Sequence, residues 1–210
     1  MFGRTPFLAL LAACLSSCGP PARPELGYLP PSGEPASERS AFVQQRPWLV
    51  WGNIVDHLQQ AGHRLEKVDE ASGELVVLYT GDPEPYVDCG WIVTYEEDDL
   101  ERLPAASSDA DFRRRRDGRL VTLERDLRLD ARMEVHVEGT GEDTIVRTDA
   151  DYALAKTIWS ETGDRPVHSQ TVSFRTGQSA TFSSGTTCHP TGELERLVFD
   201  ALPPVSFAGR

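Results

Sequence analysis

Positive charge is scarce in this 210-residue sequence: 21 Lys and Arg stand against 33 Asp and Glu, a formal charge of −12. A phosphate backbone needs a basic footprint, so general nucleic-acid binding is excluded. Long apolar runs are also missing. Mean hydropathy is −0.38, and the stretch Phe7–Ala13 is too short to cross a hydrocarbon layer of roughly 30 Å. No GxSxG, HExxH, GxxxxGK[ST] or GxGxxG motif occurs, which removes the common hydrolase, metalloprotease and nucleotide-binding signatures. No internal repeat is visible, and no cofactor is expected. With 39% apolar and 26% charged residues, the length suits one folded domain.

What is present begins with an address. Arg4 supplies one positive charge, and Phe7–Ala13 a brief apolar core. Together they have the length and flanks of a secretory signal. The segment ends in Leu15-Ser16-Ser17-Cys18-Gly19, which resembles the lipobox of bacterial lipoproteins. In that family a peptidase cuts before the cysteine, whose thiol accepts a diacylglycerol. The resemblance implies a signal peptide at 1–17 and lipid attachment at Cys18. Cys14, after Leu11-Ala12-Ala13, fits the same pattern and is the alternative. A secretory signal cleaved without lipidation is the plainer reading. Diacylglycerol with an N-acyl chain would anchor far better than the single chain that binds only marginally. Position 19 is Gly and not Asp, so the resemblance implies the outer membrane, facing the periplasm.

Of fifteen prolines, seven fall between Pro20 and Pro47. Residues 18–46 read as a lipidated, flexible Pro-rich tether, because a stretch so poor in branched apolar residues cannot offset its ordering entropy. A single domain is expected over 47–210. Pro47 suits a first helical turn; Trp48, Trp51, Val55 and Leu58, with Ile54 beside them, predict one helix face, and Gly62 its C-cap. Arg64–Asp69 and Glu74–Tyr79 predict a hairpin around Gly73, and Tyr86–Tyr95 a third strand. Residues 96–119 look irregular, acidic at Glu96–Asp99 and basic at Arg113–Arg116. Leu127, Leu129, Ala131, Met133, Val135 and Val137 alternate with polar residues, as a strand with one buried face requires. Strands are also expected near Thr144–Trp159 (where Ala153–Ala155 would equally suit a helix), Val167–Arg175 and Ser179–Thr186. A last helix carries Leu194, Leu197, Val198 and Ala201. The order predicts an α+β fold: an antiparallel sheet of about six or seven strands with one helix at each end of the domain, helix-grip-like or TBP-like. A β-sandwich with peripheral helices is the alternative.

Cys89 and Cys188 are the remaining cysteines. In an oxidising compartment an even pair is best read as a disulfide, and closing a loop of roughly 100 residues is worth up to about 4.7 kcal/mol in the chain-entropy model. Zinc held by Cys188, His189, Cys89 and one more histidine, or a reactive thiol, are weaker readings without CxxC or HxxxH spacing. His57 and His63 are expected as solvated helix-end residues, and His136 on a wet strand face. Asp82, Glu84 and Asp88 lack EF-hand spacing and read as a solvated turn. Arg113, Arg114, Arg115 and Arg116 form the one strong charge reversal and are candidates for anion contact, with lipid headgroups or an acidic partner; compensation by Asp109, Asp111 and Asp117 is the plainer account.

Trp48–Trp51 through Gly62, then Lys67-Val68-Asp69, Gly73–Val76 and Tyr79, loosely resemble BamC-like outer-membrane lipoproteins, in which a helix leads into a hairpin. The likeness covers about 35 residues and implies a scaffold or assembly-accessory role with nothing catalytic. The expectation is a non-enzymatic envelope module with a protein partner, attached to the membrane through its N-terminal lipid. A carrier of lipid or another apolar ligand would instead need a cavity beneath the first helix. A hydrolase would need a pocket of paired acids or a serine in contact with its base.

Overall fold

The computed structural model describes residues 26–37, 39–96, 99–116, 119–160 and 165–203. Its backbone centres on an antiparallel ribbon. Strand β9 (Arg119–Thr140) turns through Gly141 into β10 (Asp143–Ser160), and the two stay in register from Asp143 opposite Thr140 to Ser160 opposite Leu123. Leu127, Leu129, Ala131, Met133, Val135 and Val137 all point inward, as do Val146, Ala150, Tyr152 and Leu154 from β10. The Ala153–Ala155 stretch is therefore strand: its parity follows β10, and its partners are Asp130, Leu129 and Arg128.

Five more strands complete a seven-stranded sheet. β3 (Arg64–Asp69) and β4 (Glu74–Gly81) form the predicted hairpin, and β4 pairs with β9. Along the rest of β9 lies β8 (Asp109–Arg116). On the far side β10 is flanked by β2 (Arg39–Val43) and β11 (His168–Arg175). Two three-stranded sheets complete the strands. One comprises β1 (Leu26–Leu29), β6 (Trp91–Glu96) and β7 (Asp99–Pro104); the other comprises β12 (Ala180–Thr181), β13 (Thr187–Pro190) and β5 (Val87–Asp88).

Helix α1 (Pro47–Gln60) lays Val50, Ile54 and Leu58, none of them exposed, into the same core as β9. These positions, four apart, are the true apolar stripe, with Trp51 beside it. The expected stripe was rotated: Trp48 is 57% exposed and Val55 only half-buried. The predicted stop at Gly62 holds. With φ of +79°, Gly62 lets its own N–H reach Gln59 O and the His63 N–H reach Leu58 O, a Schellman termination. Helix α2 (Glu193–Asp200) buries Leu194 and Val198. The fold is thus α+β, mostly antiparallel sheet with a helix near each end of the domain.

Three more expectations need correction. The tether drawn over 18–46 extends too far, because Leu26–Leu29 pair with β6 and Arg39–Val43 with β10. Short segments between prolines are held by cross-strand hydrogen bonds that local composition does not report. Residues 18–25 lie outside the described residues. The irregular stretch drawn over 96–119 is instead largely strand: β7 returns along β6, and β8 along the start of β9, each stabilised by its partner's backbone. Likewise, the single strand drawn over Tyr86–Tyr95 is broken at Gly90 into β5 and β6. Gly90 has φ of +76°, and a Cβ there would stand 2.1 Å from Leu29 O.

Gly73 closes the β3–β4 hairpin at φ of +69°, and an added Cβ would fall 2.1 Å from Val137 O, which is backbone and cannot yield cheaply. Gly73→Ala should therefore cost more than the ~1 kcal/mol of an ordinary loop substitution. The urea midpoint should fall accordingly, and Gly141→Ala, whose Cβ would meet nothing within 4 Å, should lose less.

Candidate functional site

Residues of β9 and β10 with core-facing parity are apolar, apart from the buried Thr144 and Thr148, until the ribbon nears its open end. There Arg125 and Lys156 occupy inward positions, each 5% exposed. Lys156 stands opposite Leu127 on β9 and Gln170 on β11, while Arg125 stands opposite Ile158. The two cations are consequently diagonal neighbours on one face. Arg125 donates to Ala105 O at 3.0 Å and Ser107 O at 2.9 Å, leaving its buried Nε without a partner. Burial pushes this guanidinium's pKa down, partly offset by Asp109.

The turn between β12 and β13 folds over Lys156. Gly185, with φ of +89°, donates its N–H to Phe182 O, and Phe182 N–H reaches back to Thr186 O. Gln170 Oε1 accepts from both the N–H and the hydroxyl of Ser183, at 3.0 and 2.7 Å. The turn is so held that Ser184 Oγ lies 2.8 Å from Lys156 Nζ and 3.3 Å from Thr186 Oγ1. Lys156 Nζ also sits 4.0 Å from the centroid of the buried Phe182 ring. No carboxylate reaches this amine among the described residues. Burial first, then repulsion from Arg125, lowers its pKa to about 8.

A second buried polar group is fully provided for. Glu195 of α2, with no exposed surface, accepts from Tyr152 Oη at 3.0 Å on each oxygen and from Thr176 Oγ1 at 2.7 Å. Thr176 Oγ1 in turn accepts from Ala150 N at 2.9 Å, and Tyr152 stacks on Phe174 with centroids 5.4 Å apart. This set locks α2 to β10. It is a tie between elements rather than a reactive centre.

The opposite face of the large sheet is wet and ion-paired. Arg132 meets Glu66 and Glu134, Arg147 meets Glu138, and Arg175 meets Asp149 and Asp151. Exposed pairs of this kind contribute at most about 1 kcal/mol each. A hollow of about 520 Å³, whose lining includes Thr80, Asp130, Ala153, Ser173 and Arg175, lies where small side chains stand between the arginines.

The residues singled out from sequence are distributed as follows. Cys14 and Cys18 lie outside the described residues. Cys89 and Cys188 are joined in a disulfide, both sulfurs inside the core. Arg113–Arg116 occupy β8 opposite Thr122–Arg119, a paired strand and not a loop. His136 alternates to the polar face, opposite Arg147 on β10 and Glu74 on β4. His63, half-buried, has its pKa lowered by burial and by the nearby His57. Asp82 and Asp88 accept backbone N–H groups of Glu84 and Gly90, and Glu84 accepts from Ser107. Among the described residues no three His, Cys, Asp or Glu side chains are grouped as metal ligands. The contact missed from sequence is Lys156 with Ser184. Its signal was parity: Lys156 falls on the even, core-facing register of β10, where an unpartnered lysine is rare.

No protein-family model and no curated protein matches this chain.

Two outcomes follow from these buried groups. Glu195→Ala removes the acceptor shared by the Tyr152 and Thr176 hydroxyls and should cost about 2–3 kcal/mol, with Glu195→Gln losing less, both read from urea unfolding. For Lys156 the folded pKa of about 8 lies below the ordinary 10.5, so between these values the unfolded chain holds a proton that the folded chain lacks. Stability contributed by this group therefore rises with pH across that window. Against Lys156→Met, which has no such titration, the wild-type chain should gain in relative unfolding midpoint from pH 8 to 10.5.

Proposed function

We propose that the chain is an exported lipoprotein, anchored through Cys18 to the outer membrane and facing the periplasm, whose domain binds protein partners of the envelope. The observation that carries this reading is the buried Cys89–Cys188 disulfide. Such bonds persist in oxidising compartments, and the lipobox-like Leu15–Cys18 supplies the route there. No helix among the described residues is long and apolar enough to cross a membrane, so the lipid is the membrane attachment in this reading.

Partner binding is favoured over an apolar carrier by how α1 packs. Val50, Ile54 and Leu58 are fully enclosed against the sheet, filling the space where a carrier would hold its ligand. Large apolar side chains are instead left at the surface. Phe42 and Ile145 face each other across β2 and β10, 52% and 38% exposed, and Trp48 and Leu49 begin α1. Aromatic groups of this kind are enriched at protein interfaces. The BamC-like resemblance of the helix-to-hairpin segment agrees with an accessory role in envelope assembly.

Expressed in a Gram-negative host, the full chain should fractionate with outer membranes and incorporate labelled palmitate. Cys18→Ser should abolish both, while Cys14→Ser leaves them intact. An unmodified mature amino terminus by mass spectrometry would overturn the anchor.

A further inference from the structure

We propose that Ser184 and Lys156 form a nucleophile and base that accept acyl groups from ester donors. The pair goes beyond the tethering reading and does not depend on it. Three observations carry it. The Ser184 hydroxyl is exposed at the tip of a tight turn, open to large substrates, while its partner amine is buried below it, 2.8 Å away. The turn is fixed on both sides of that hydroxyl, by the Ser183–Gln170 bonds and by the Phe182–Thr186 closure, so the contact does not depend on a free rotor in a loose loop. Finally, among the described residues no carboxylate reaches the amine. The groups facing it are Arg125 from β9, neutral Gln170 and Leu127 across the sheet, and Phe182, Ser184 and Thr186 from the hairpin. Asp109 lies beside Arg125 instead.

A lysine of this kind acts as a base only when neutral, and burial together with a neighbouring cation is how an amine is kept so near physiological pH. The balanced step is acyl transfer. Ser184 Oγ attacks the ester carbonyl carbon and its proton passes to Lys156 Nζ. The carbon–oxygen bond to the leaving alcohol then breaks, and that oxygen takes the proton from Nζ. Water attacks the resulting serine ester by the same route, releasing the acid and restoring both side chains. Thr186 Oγ1 lies 3.3 Å from Ser184 Oγ, a second hydroxyl beside the nucleophile. Other proteins use a Ser–Lys pair in this way without the histidine of the Ser-His-Asp arrangement.

The test uses the full chain with p-nitrophenyl acetate, following product release and locating the acetyl group by peptide mass spectrometry. Acetylation should map to Ser184 and not Ser183, with a rate rising with pH to a midpoint of about 8. Ser184→Ala should abolish labelling at that peptide. Lys156→Met, which keeps the stem and removes a buried cation at little cost in stability, should slow acylation by about 100-fold or more, with an unchanged melting transition showing that the fold persists. Lys156→Arg, still hydrogen-bonding but never neutral, should be equally slow. Absence of acetyl-Ser184, or labelling that survives in folded Lys156→Met, overturns the proposal while leaving the lipoprotein reading untouched.

Discussion

A one-residue slip between β9 and β10 would carry Leu127 through Val137 onto the wet face and bring Arg128 through Glu138 into the core. That penalty fixes the ribbon, because side chains alternate with a period of two. Almost everything else is attached to it. β4 and β8 share the outer edge of β9; β2 and β11 share that of β10; both helices lie against its inward side chains. The disulfide then ties the two smaller sheets' connections together, since Cys89 sits between β5 and β6 and Cys188 within β13.

The two buried polar sets on this ribbon differ in kind. Glu195 accepts from the hydroxyls of Tyr152 and Thr176, which satisfies a carboxylate and orients a helix. Lys156 has a hydroxyl and an aromatic face, and no acid among the described residues. A structural cation buried at such cost is normally paired. The difference between a group whose environment completes it and one whose environment perturbs it is what separates a tie from a candidate reactive centre.

Much of the frame was legible from residue order. The alternation from Leu127 to Val137, the β3–β4 hairpin around Gly73, the helix stop at Gly62 and the disulfide all came from local period, turn chemistry or cysteine arithmetic. The rotated stripe of α1 shows where that reading weakens. Trp48 is apolar and helically spaced, yet it stays exposed in the first turn, and Val50 takes the buried place. The strands β1, β2, β7 and β8 were missed for one reason. Their sequences are proline-flanked or highly charged, and they owe their extended form to a partner strand, which is distant in the chain for β1 and β2 and the adjacent strand along it for β7 and β8. The contact of Lys156 with Ser184 was missed likewise, though the parity of position 156 along β10 pointed inward.

The sequence by itself determined an α+β chain, a ribbon of fixed inward face and two cysteines suited to pairing. These follow from periodicities and side-chain chemistry that act over a few residues. Tertiary structure decided which turn closes over the end of that ribbon, and so which hydroxyl meets the buried amine. Nothing within a few residues of Lys156 encodes Ser184; the meeting depends on strand pairing across the sheet and on a hairpin held by Gln170, distances that only the folded chain sets.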